Sequence, residues 1–345
     1  MLNKEFYNTV LELRRQDKSW IDVHKHLLKT KSIHSSATVG DIKDRYMEIA
    51  AKIISGEIDK FENDVSSYEN AVDKVNRFIG KSDKKVKIKK DKSKNSDIKN
   101  ILVISDVHVP HYDASKLARA IEIGLDNGCT ELVINGDFLN GDKLSNHAKF
   151  KHESFREEIS EGRALLEAFC SKFNKVYLLD DNHVHDRWRR FLGNNISPDL
   201  HFLLTHPYDF LCNGLENLVR SAHTHDEFQD EIGHCMFIGD AMFSHGFVSG
   251  KDGASVRTVQ NWYSQWKPVL KFPNARVFLH GHTHKLGVQF DYDSAIIQTG
   301  TLASMEGLRY SLEGHLRSSP PIHGCVILEQ NNGITSLDSV RVFKL

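Results

Sequence analysis

The 345-residue chain is long enough for two domains, and its 40% hydrophobic and 26% charged residues are ordinary for a globular protein. Its formal net charge of −1 says nothing about partners, and without a signal-type segment or an 18-residue apolar run we expect neither secretion nor a membrane span. Five scattered cysteines without a CxxC pair argue against a disulfide framework or a cysteine-ligated zinc, so we expect a cytoplasmic protein.

Residues 1–79 are predicted to form a small all-α domain. Apolar spacing predicts helices over residues 2–15, 20–28, 36–53 and 60–79. The first three resemble a helix-turn-helix module whose recognition helix begins near Thr38 and carries Lys43 and Arg45. Acidic residues on the same helix, among them Asp41 and Asp44, do not favour a phosphate-facing surface. A helical bundle or oligomerisation element therefore stays an equal alternative.

Residues 80–100 are predicted to be a disordered basic linker. From Lys81 to Asn100 the chain has nine Lys and three Asp, a net charge of +6, which leaves −7 for the rest. Such a segment is either a solvated connection without a further role or a basic strap that adds sequence-independent affinity for phosphate.

Residues 101–345 are predicted to form one α/β domain. Strands are expected over residues 101–105, 131–135 and 175–179, and helices over residues 114–127, 157–173 and from 186 onward. After residue 225 the pattern favours strands, with one helix over residues 254–265. This alternation of strand and helix is typical of an α/β fold.

Five short polar segments come at or just after the ends of the apolar, strand-like runs. They are Asp106-Val-His108, Gly136-Asp137, Asn182-His183, His245-Gly246 and Gly281-His282-Thr283-His284. Any one of them alone is a weak signal, but five in succession predict a metal centre made of Asp, His and Asn. Carboxylate and imidazole without thiolate suit Mn, Fe or Zn. Two such ions about 3.5–4 Å apart can clamp a phosphate and activate a water.

The spacing of the ligand-type residues supports this interpretation. Alternate residues of a strand point the same way, so Asp106 and His108 can bind one ion. His282 and His284 have the same spacing but lie where the chain leaves a strand, so they can serve different ions. The glycines beside the ligands let the backbone turn tightly there.

The order of the five motifs resembles the calcineurin-like metallophosphoesterase superfamily, whose members include Mre11/SbcD-type nucleases, Ser/Thr phosphoprotein phosphatases and cyclic-nucleotide phosphodiesterases. The resemblance covers roughly residues 98–330. It implies a two-sheet β-sandwich flanked by helices, here preceded by the small all-α domain, with the site at strand ends.

The resemblance also implies a role for each motif residue. One ion is expected at Asp106, His108 and His284, and a second at Asn182, His245 and His282, with Asp137 bridging the two. His183 is not a ligand in this scheme; it contacts the phosphate and donates a proton to the leaving oxygen. Asp181 departs from the family, which usually has Gly before Asn-His. It is expected to strain the turn, to form a supporting hydrogen bond or to alter His183.

Weaker candidates for substrate contacts lie in two segments. They are His147, within a Ser145-Asn146-His147 that resembles a Ser-x-His of phage-type members, and Arg187, Arg189 and Arg190 around Trp188. The arginines and the tryptophan suit a phosphate- or base-stacking surface. A helix with a solvated basic face is an equal alternative.

Taken together, these features favour a Mn-dependent nuclease or phosphodiesterase that acts on DNA through a dinuclear centre and metal-bound water. Its resemblance to phage-encoded members suggests that it works in a host cytoplasm, with DNA as its partner and no membrane contact; a homo-oligomer stays open. The first alternative is a phosphatase of phosphoproteins or small phosphoesters. The second is a non-catalytic DNA-binding protein with a degenerate site, against which the complete ligand set argues.

Overall fold

The chain divides into two compact units, residues Met1–Ser67 and Tyr68–Leu345. A computed structural model describes residues 6, 9–10, 13, 18–30, 37–43, 45–46, 65–80, 98–145, 154–197, 200–201, 204–221, 234–246, 254–308 and 320–345. Most of the expected basic linker lies outside these ranges, so its disorder stays a prediction. No helix within them has both the length and the apolar character needed to cross a bilayer.

The first unit has a small apolar core. Helix α1 (Trp20–Lys29) begins after Ser19, whose side chain accepts from the amide of Asp22 in a capping box. The guanidinium of Arg45 lies 4.8 Å from the centre of the Phe6 ring. Among the described residues of this unit, the buried apolar ones are Phe6, Val10, Val23, Leu27 and Ile42. A helix-turn-helix role for these helices stays a prediction.

Within the described residues, the second unit combines helices with strands. Its helices are α2 (Val65–Ile79, from Tyr68 onward), α3 (Ala114–Asp126), α4 (Phe155–Lys172), α5 (Arg187–Asn195), α6 (Pro207–Cys212) and α7 (Ala254–Leu270). Its strands are β1 (Ile98–Ile104), β2 (Cys129–Ile134), β3 (Lys175–Leu178), β4 (Leu218–Arg220), β5 (Cys235–Ile238), β6 (Ala241–Ser244), β7 (Val277–His280), β8 (Leu286–Asp291), β9 (Ser294–Thr299), β10 (Gly324–Asn331), β11 (Ile334–Thr335) and β12 (Arg341–Lys344).

These strands form two mixed sheets, which confirms the predicted fold class. Among the described residues, the first sheet has seven strands in the order β11-β10-β1-β2-β3-β4, with β12 also paired to β10. The second sheet has five strands in the order β5-β6-β7-β9-β8. Within them, β1 to β4 run parallel, as do β6, β7 and β9.

The two-residue period of the strands divides the apolar core into layers. In β1, Ile101 and Val103 pack between the sheets, whereas Leu102 and Ile104 pack on the outer face beneath the helices. A third layer lies between β7 and α7, where Phe278 meets Val259. Because both faces of the central strands are covered, their sequences are almost continuously apolar.

The division between the units differs from the predicted domain boundary at residue 79. From Tyr68 onward, α2 belongs to the second unit, because Ala71 and Val75 are buried in the layer beneath its helices. Lys74 pairs with Glu161 of α4 at 2.5 Å. The amphipathic pattern predicts the helix, but the core that its apolar face covers is that of the larger unit.

Candidate metal centre

The candidate ligands lie at the ends of parallel strands from both sheets. Strands β1, β2 and β3 are parallel neighbours, as are β6 and β7, so the segments that follow them leave each sheet at one edge. Asp106 and His108 follow β1, Asp137 follows β2, Asn182 follows β3, His245 follows β6, and His282 and His284 follow β7. The structure brings the ligand atoms of the six Asp and His residues into neighbouring groups, and it places Asn182 beside Gly246, the residue after His245.

Five of the seven candidate ligands have a left-handed backbone. The φ angle is 52° at Asp106, 53° at His108, 46° at Asp137, 72° at His282 and 55° at His284. Non-glycine residues adopt such angles at a cost of about 1–3 kcal/mol each, and strain of this kind collects at functional sites. The strained turns are therefore an indication of function that does not depend on the chemistry of the side chains.

Two glycines allow the ligand-bearing segments to approach each other. Gly136 has a φ of +80°, and a Cβ placed on it would lie 2.2 Å from the ring of His245. Gly246 has a φ of +74°, and its Cβ would lie 2.8 Å from Oδ1 of Asn182. Any side chain at either position would displace a candidate ligand.

Asp137 lies at the middle of the cluster, as expected of a bridging ligand. Its Oδ2 faces Nε2 of three histidines: His245 at 3.1 Å, His183 at 3.6 Å and His108 at 3.7 Å. Oδ1 of Asp106 lies 3.0 Å from Nε2 of His284. Both carboxylates are almost completely buried, at 0% and 1% exposure.

Among the described residues, three groups have the geometry to hold a metal ion, with ligand atoms within 4.8 Å of one another. They are Asp106, His108 and His284; Asp137, His245 and His282; and His108, Asp137 and His183. The first is the set expected for one ion, and the second contains the bridging Asp and two ligands expected for the other. The third adds His183, to which the resemblance gives a catalytic role instead.

Unpaired buried atoms show that this cluster fits divalent ions. Nε2 of His108, Oδ1 of Asp137 and Oδ1 of Asn182 are buried without a hydrogen-bond partner. A buried polar atom without a partner costs about 1–3 kcal/mol, and a bound cation removes that cost. Imidazole nitrogen with carboxylate and amide oxygen is a donor set that suits Mn, Fe or Zn.

Hydrogen bonds behind the cluster fix which nitrogen of two histidines faces it. Nδ1 of His245 donates to the main-chain oxygen of Asn135 at 2.7 Å, which leaves Nε2 for the centre. Nδ1 of His108 lies 3.2 Å from Oδ1 of Asn140. The amide group of Asn140 donates to Asp142, so its oxygen is the atom turned toward His108. In both histidines, Nε2 is therefore the ring nitrogen turned toward the centre.

His183, like His245, is oriented by a main-chain oxygen. Its Nδ1 donates to the main-chain oxygen of Asn140 at 2.9 Å, so Nε2 faces Asp137. Burial lowers the pKa of His183 well below its ordinary value, against the opposing charge of Asp137, with His108 and Arg187 adding to the depression.

The electrostatics of the cluster also favour cation binding. Burial disfavours the charged form of His245, but Asp137 and Asp106 outweigh it and raise its pKa to about 10. The same burial disfavours ionised Asp137, yet the surrounding histidines hold its pKa well below the usual range. In the absence of a metal the carboxylates thus retain a proton on His245, which an incoming cation must displace.

The backbone at Asp181 is not strained. Its φ of −147° is ordinary extended backbone, and its Oδ1 accepts from the amide of Val184 at 2.7 Å. It caps a π-helical turn, Asn182–Asp186, which carries both Asn182 and His183. Asp181 was expected to strain the turn, to form a supporting hydrogen bond or to alter His183, and the structure shows the supporting hydrogen bond.

The weaker candidates have different environments. His147 lies outside the described residues. Arg187 donates from Nη1 to the main-chain oxygens of Asn140 at 2.8 Å and Gly141 at 3.3 Å, so it holds the segment that follows Asp137. Arg189 and Arg190 are exposed on α5.

Sequence reasoning missed Tyr208, which is fully buried on α6 and donates to Oδ2 of Asp181. The available signal was Pro207 after His206, since proline is common at the first position of a helix.

Comparison with known proteins identifies the larger unit. The sequence profile of the family described as calcineurin-like phosphoesterase matches residues 99–286, more than half of the chain. No curated protein sequence matches significantly.

Several solved structures are similar over most of their own length. An archaeal phosphodiesterase has 17% identity and a TM-score of 0.34, covering 71% of this chain and 99% of its own. Zinc-bound Vps29 from Entamoeba histolytica has 14% identity and a TM-score of 0.33, covering 71% and 98%. A predicted phosphoesterase from Streptococcus pneumoniae has 11% identity and a TM-score of 0.28, covering 72% and 98%. At these values the likenesses support no inference on substrate.

Proposed function

The chain belongs to the calcineurin-like phosphoesterase family, and from that premise we propose that it is a nuclease or phosphodiesterase that acts on DNA. The family implies hydrolysis of phosphoesters with divalent metal ions. Manganese is the proposed ion among Mn, Fe and Zn, which all suit a donor set of carboxylate, amide and imidazole without thiolate. The nucleic-acid substrate is proposed from the surface beside the metal centre.

Helix α5 is the observation that supports this substrate. It continues directly from the turn that carries His183, and Arg189 and Arg190 are exposed on it. The ring of Phe191, which is 38% exposed, stacks on Trp188 with centroids 5.6 Å apart and planes at 20°. Cationic side chains beside aromatic faces are the combination with which proteins bind single-stranded nucleic acid.

His183 is proposed as the group that protonates the leaving oxygen. The bound ions supply positive charge that polarises the phosphoryl group and lowers the pKa of a water. The bond from Nδ1 to the main-chain oxygen of Asn140 leaves Nε2 of His183 facing Asp137, the centre at which a phosphate would bind. The negative charge of a bound phosphate adds to that of Asp137 and favours the protonated imidazole, which can then donate from Nε2.

A panel of substrates with Mn²⁺ tests the proposed function. It compares single- and double-stranded DNA, RNA, a chromogenic phosphodiester, a phosphomonoester and a phosphopeptide, each with the parent and with Asp137→Asn. Cleavage of DNA that is lost in Asp137→Asn supports the proposal. Turnover of the monoester or the phosphopeptide without attack on any nucleic acid overturns it in favour of a phosphatase.

A further inference from the structure

Two buried residues outside the metal centre connect its catalytic turn to a neighbouring helix. The carboxylate of Asp181 is fully buried, and it accepts from the amide of Val184 through Oδ1 and from the hydroxyl of Tyr208 through Oδ2. The hydroxyl oxygen of Tyr208 in turn lies 3.5 Å from the amide of Leu139, two residues after Asp137. Tyr208 therefore contacts the segment after β2, which carries Asp137, and the segment after β3, which carries Asn182 and His183.

Asp209, the next residue of α6, is also connected to the end of β3. Asp209 accepts from Nη1 of Arg220 at 2.6 Å, while Nε and Nη2 of Arg220 donate to the two oxygens of Asp180 at 2.7 and 2.8 Å. Arg220 is 5% exposed, so this two-pronged contact is shielded from water. Adjacent residues of α6 thus hold adjacent residues at the end of β3.

We propose that Asp181 and Tyr208 are a positioning pair, which sets Asn182 and His183 at the catalytic turn. Asp181 caps the turn by accepting from the amide of Val184, its third residue, and Tyr208 fixes the carboxylate in the direction that capping requires. Both residues are fully buried, so in this proposal they act through the residues they hold. The proposal rests on the metal-dependent hydrolysis and not on the identity of the substrate.

The pair also accounts for the departure of this chain from the usual Gly before Asn-His. A glycine at residue 181 has no side chain to accept from Val184 or Tyr208, so the tyrosine hydroxyl would be left buried without its acceptor. The two residues are therefore expected to depend on each other, and a double-mutant cycle measures that dependence.

The first measurement is hydrolysis of a chromogenic phosphodiester at saturating Mn²⁺. Asp181→Ala is expected to lower kcat by about 10–100-fold with a smaller change in KM, because groups that orient ligands have effects of this size. Asp181→Asn keeps an oxygen that can accept from Val184, so it is expected to retain more turnover. The combined Asp181→Ala, Tyr208→Phe variant is expected to lose less than the product of the losses in Asp181→Ala and in Tyr208→Phe.

A second measurement does not depend on activity. Amide hydrogen exchange of the metal-free protein, followed by mass spectrometry over residues 182–187, is expected to be faster in Asp181→Ala and Tyr208→Phe than in the parent. Tyr177→Phe is the matched control, since Tyr177 is a buried tyrosine bonded to a carboxylate, Glu131, on β2 and β3 away from the turn. It is expected to leave both exchange and kcat unchanged.

The outcomes separate this inference from the proposed function. Unchanged exchange in Asp181→Ala and Tyr208→Phe overturns the positioning pair, whether or not any phosphoester is hydrolysed. Faster exchange with parental kcat also overturns it, because the turn would then move without consequence for the reaction. If Asp181→Ala does not fold, the same criteria apply to the milder Asp181→Asn and Tyr208→Phe. A parent protein without activity on any substrate overturns the proposed function alone, and exchange still decides the pair.

Discussion

The main-chain oxygen of Asn140 accepts a hydrogen bond of 2.9 Å from Nδ1 of His183. The side-chain oxygen of the same residue lies 3.2 Å from Nδ1 of His108. Asn140 therefore orients the proposed acid through its backbone and a candidate ligand through its side chain. Because substitution removes only the side chain, the two contributions can be measured separately.

Asn140→Ala is expected to weaken metal binding more than catalysis. Losing the acceptor for Nδ1 frees the ring of His108, and such supporting groups contribute about 10–100-fold to metal affinity. The backbone bond to His183 remains, so kcat at saturating metal is expected to change less. Calorimetric titration with Mn²⁺ measures the affinity, with Asn100→Ala as control at a distant asparagine that bonds Asn127. Parental metal affinity in Asn140→Ala would contradict the role assigned to this side chain.

His183→Ala is expected to keep the bound metal and lose about 10²–10⁴-fold in turnover, the usual contribution of a general acid. Metal content and kcat are measured on the same preparation, with His185→Ala as the control two residues further along the turn. Loss of a metal ion would instead make His183 a ligand, as its grouping with His108 and Asp137 permits. An unchanged rate would exclude it as the proton donor.

Asp137→Asn is expected to bind fewer metal ions and to lose most turnover. Oδ2 of Asp137 faces three histidines, and replacing the carboxylate by an amide removes the negative charge from the middle of the cluster. Elemental analysis of protein purified without chelator is expected to give up to two transition ions per parent chain. The exposed Asp126→Asn serves as control. Equal metal content in parent and Asp137→Asn would refute the dinuclear centre.

The sequence was most informative where side-chain chemistry and strand ends coincide. Six of the seven predicted ligands fall into groups that could hold an ion, and Asn182 lies beside Gly246, because each motif follows a strand whose end lies at the same side of the two sheets. Helix α6 and Tyr208 were not predicted, since six residues are too few to display a helical period. The unit to which α2 belongs could not be predicted either, because an amphipathic pattern indicates that one face of a helix is buried but does not indicate which core covers that face.

Truncation tests the assignment of α2 to the catalytic unit. Removal of residues 1–67 is expected to leave the free energy of unfolding of the larger unit nearly unchanged. Removal of residues 1–80 also deletes Ala71 and Val75 from its core, and the burial of a Val side chain alone contributes about 1.5–3 kcal/mol. Urea unfolding compares the two shortened chains. Equal stability would place α2 outside the folded unit.

Substitutions on the basic and aromatic surface of α5 test whether the substrate is DNA. Arg189→Ala with Arg190→Ala is expected to weaken binding of single-stranded DNA and to reduce the slope of log affinity against log salt. Each lost phosphate contact removes one released counterion, a change in slope of about 0.7 for a single strand. Phe191→Ala is expected to weaken binding without changing that slope, because stacking releases no counterions.

The control for these variants is Arg119→Ala, which replaces an exposed arginine on α3. Hydrolysis of a small phosphodiester is expected to be unaffected in all of them, since no metal ligand is altered. Parental affinity and salt dependence in the double arginine variant would remove α5 from the DNA-binding surface.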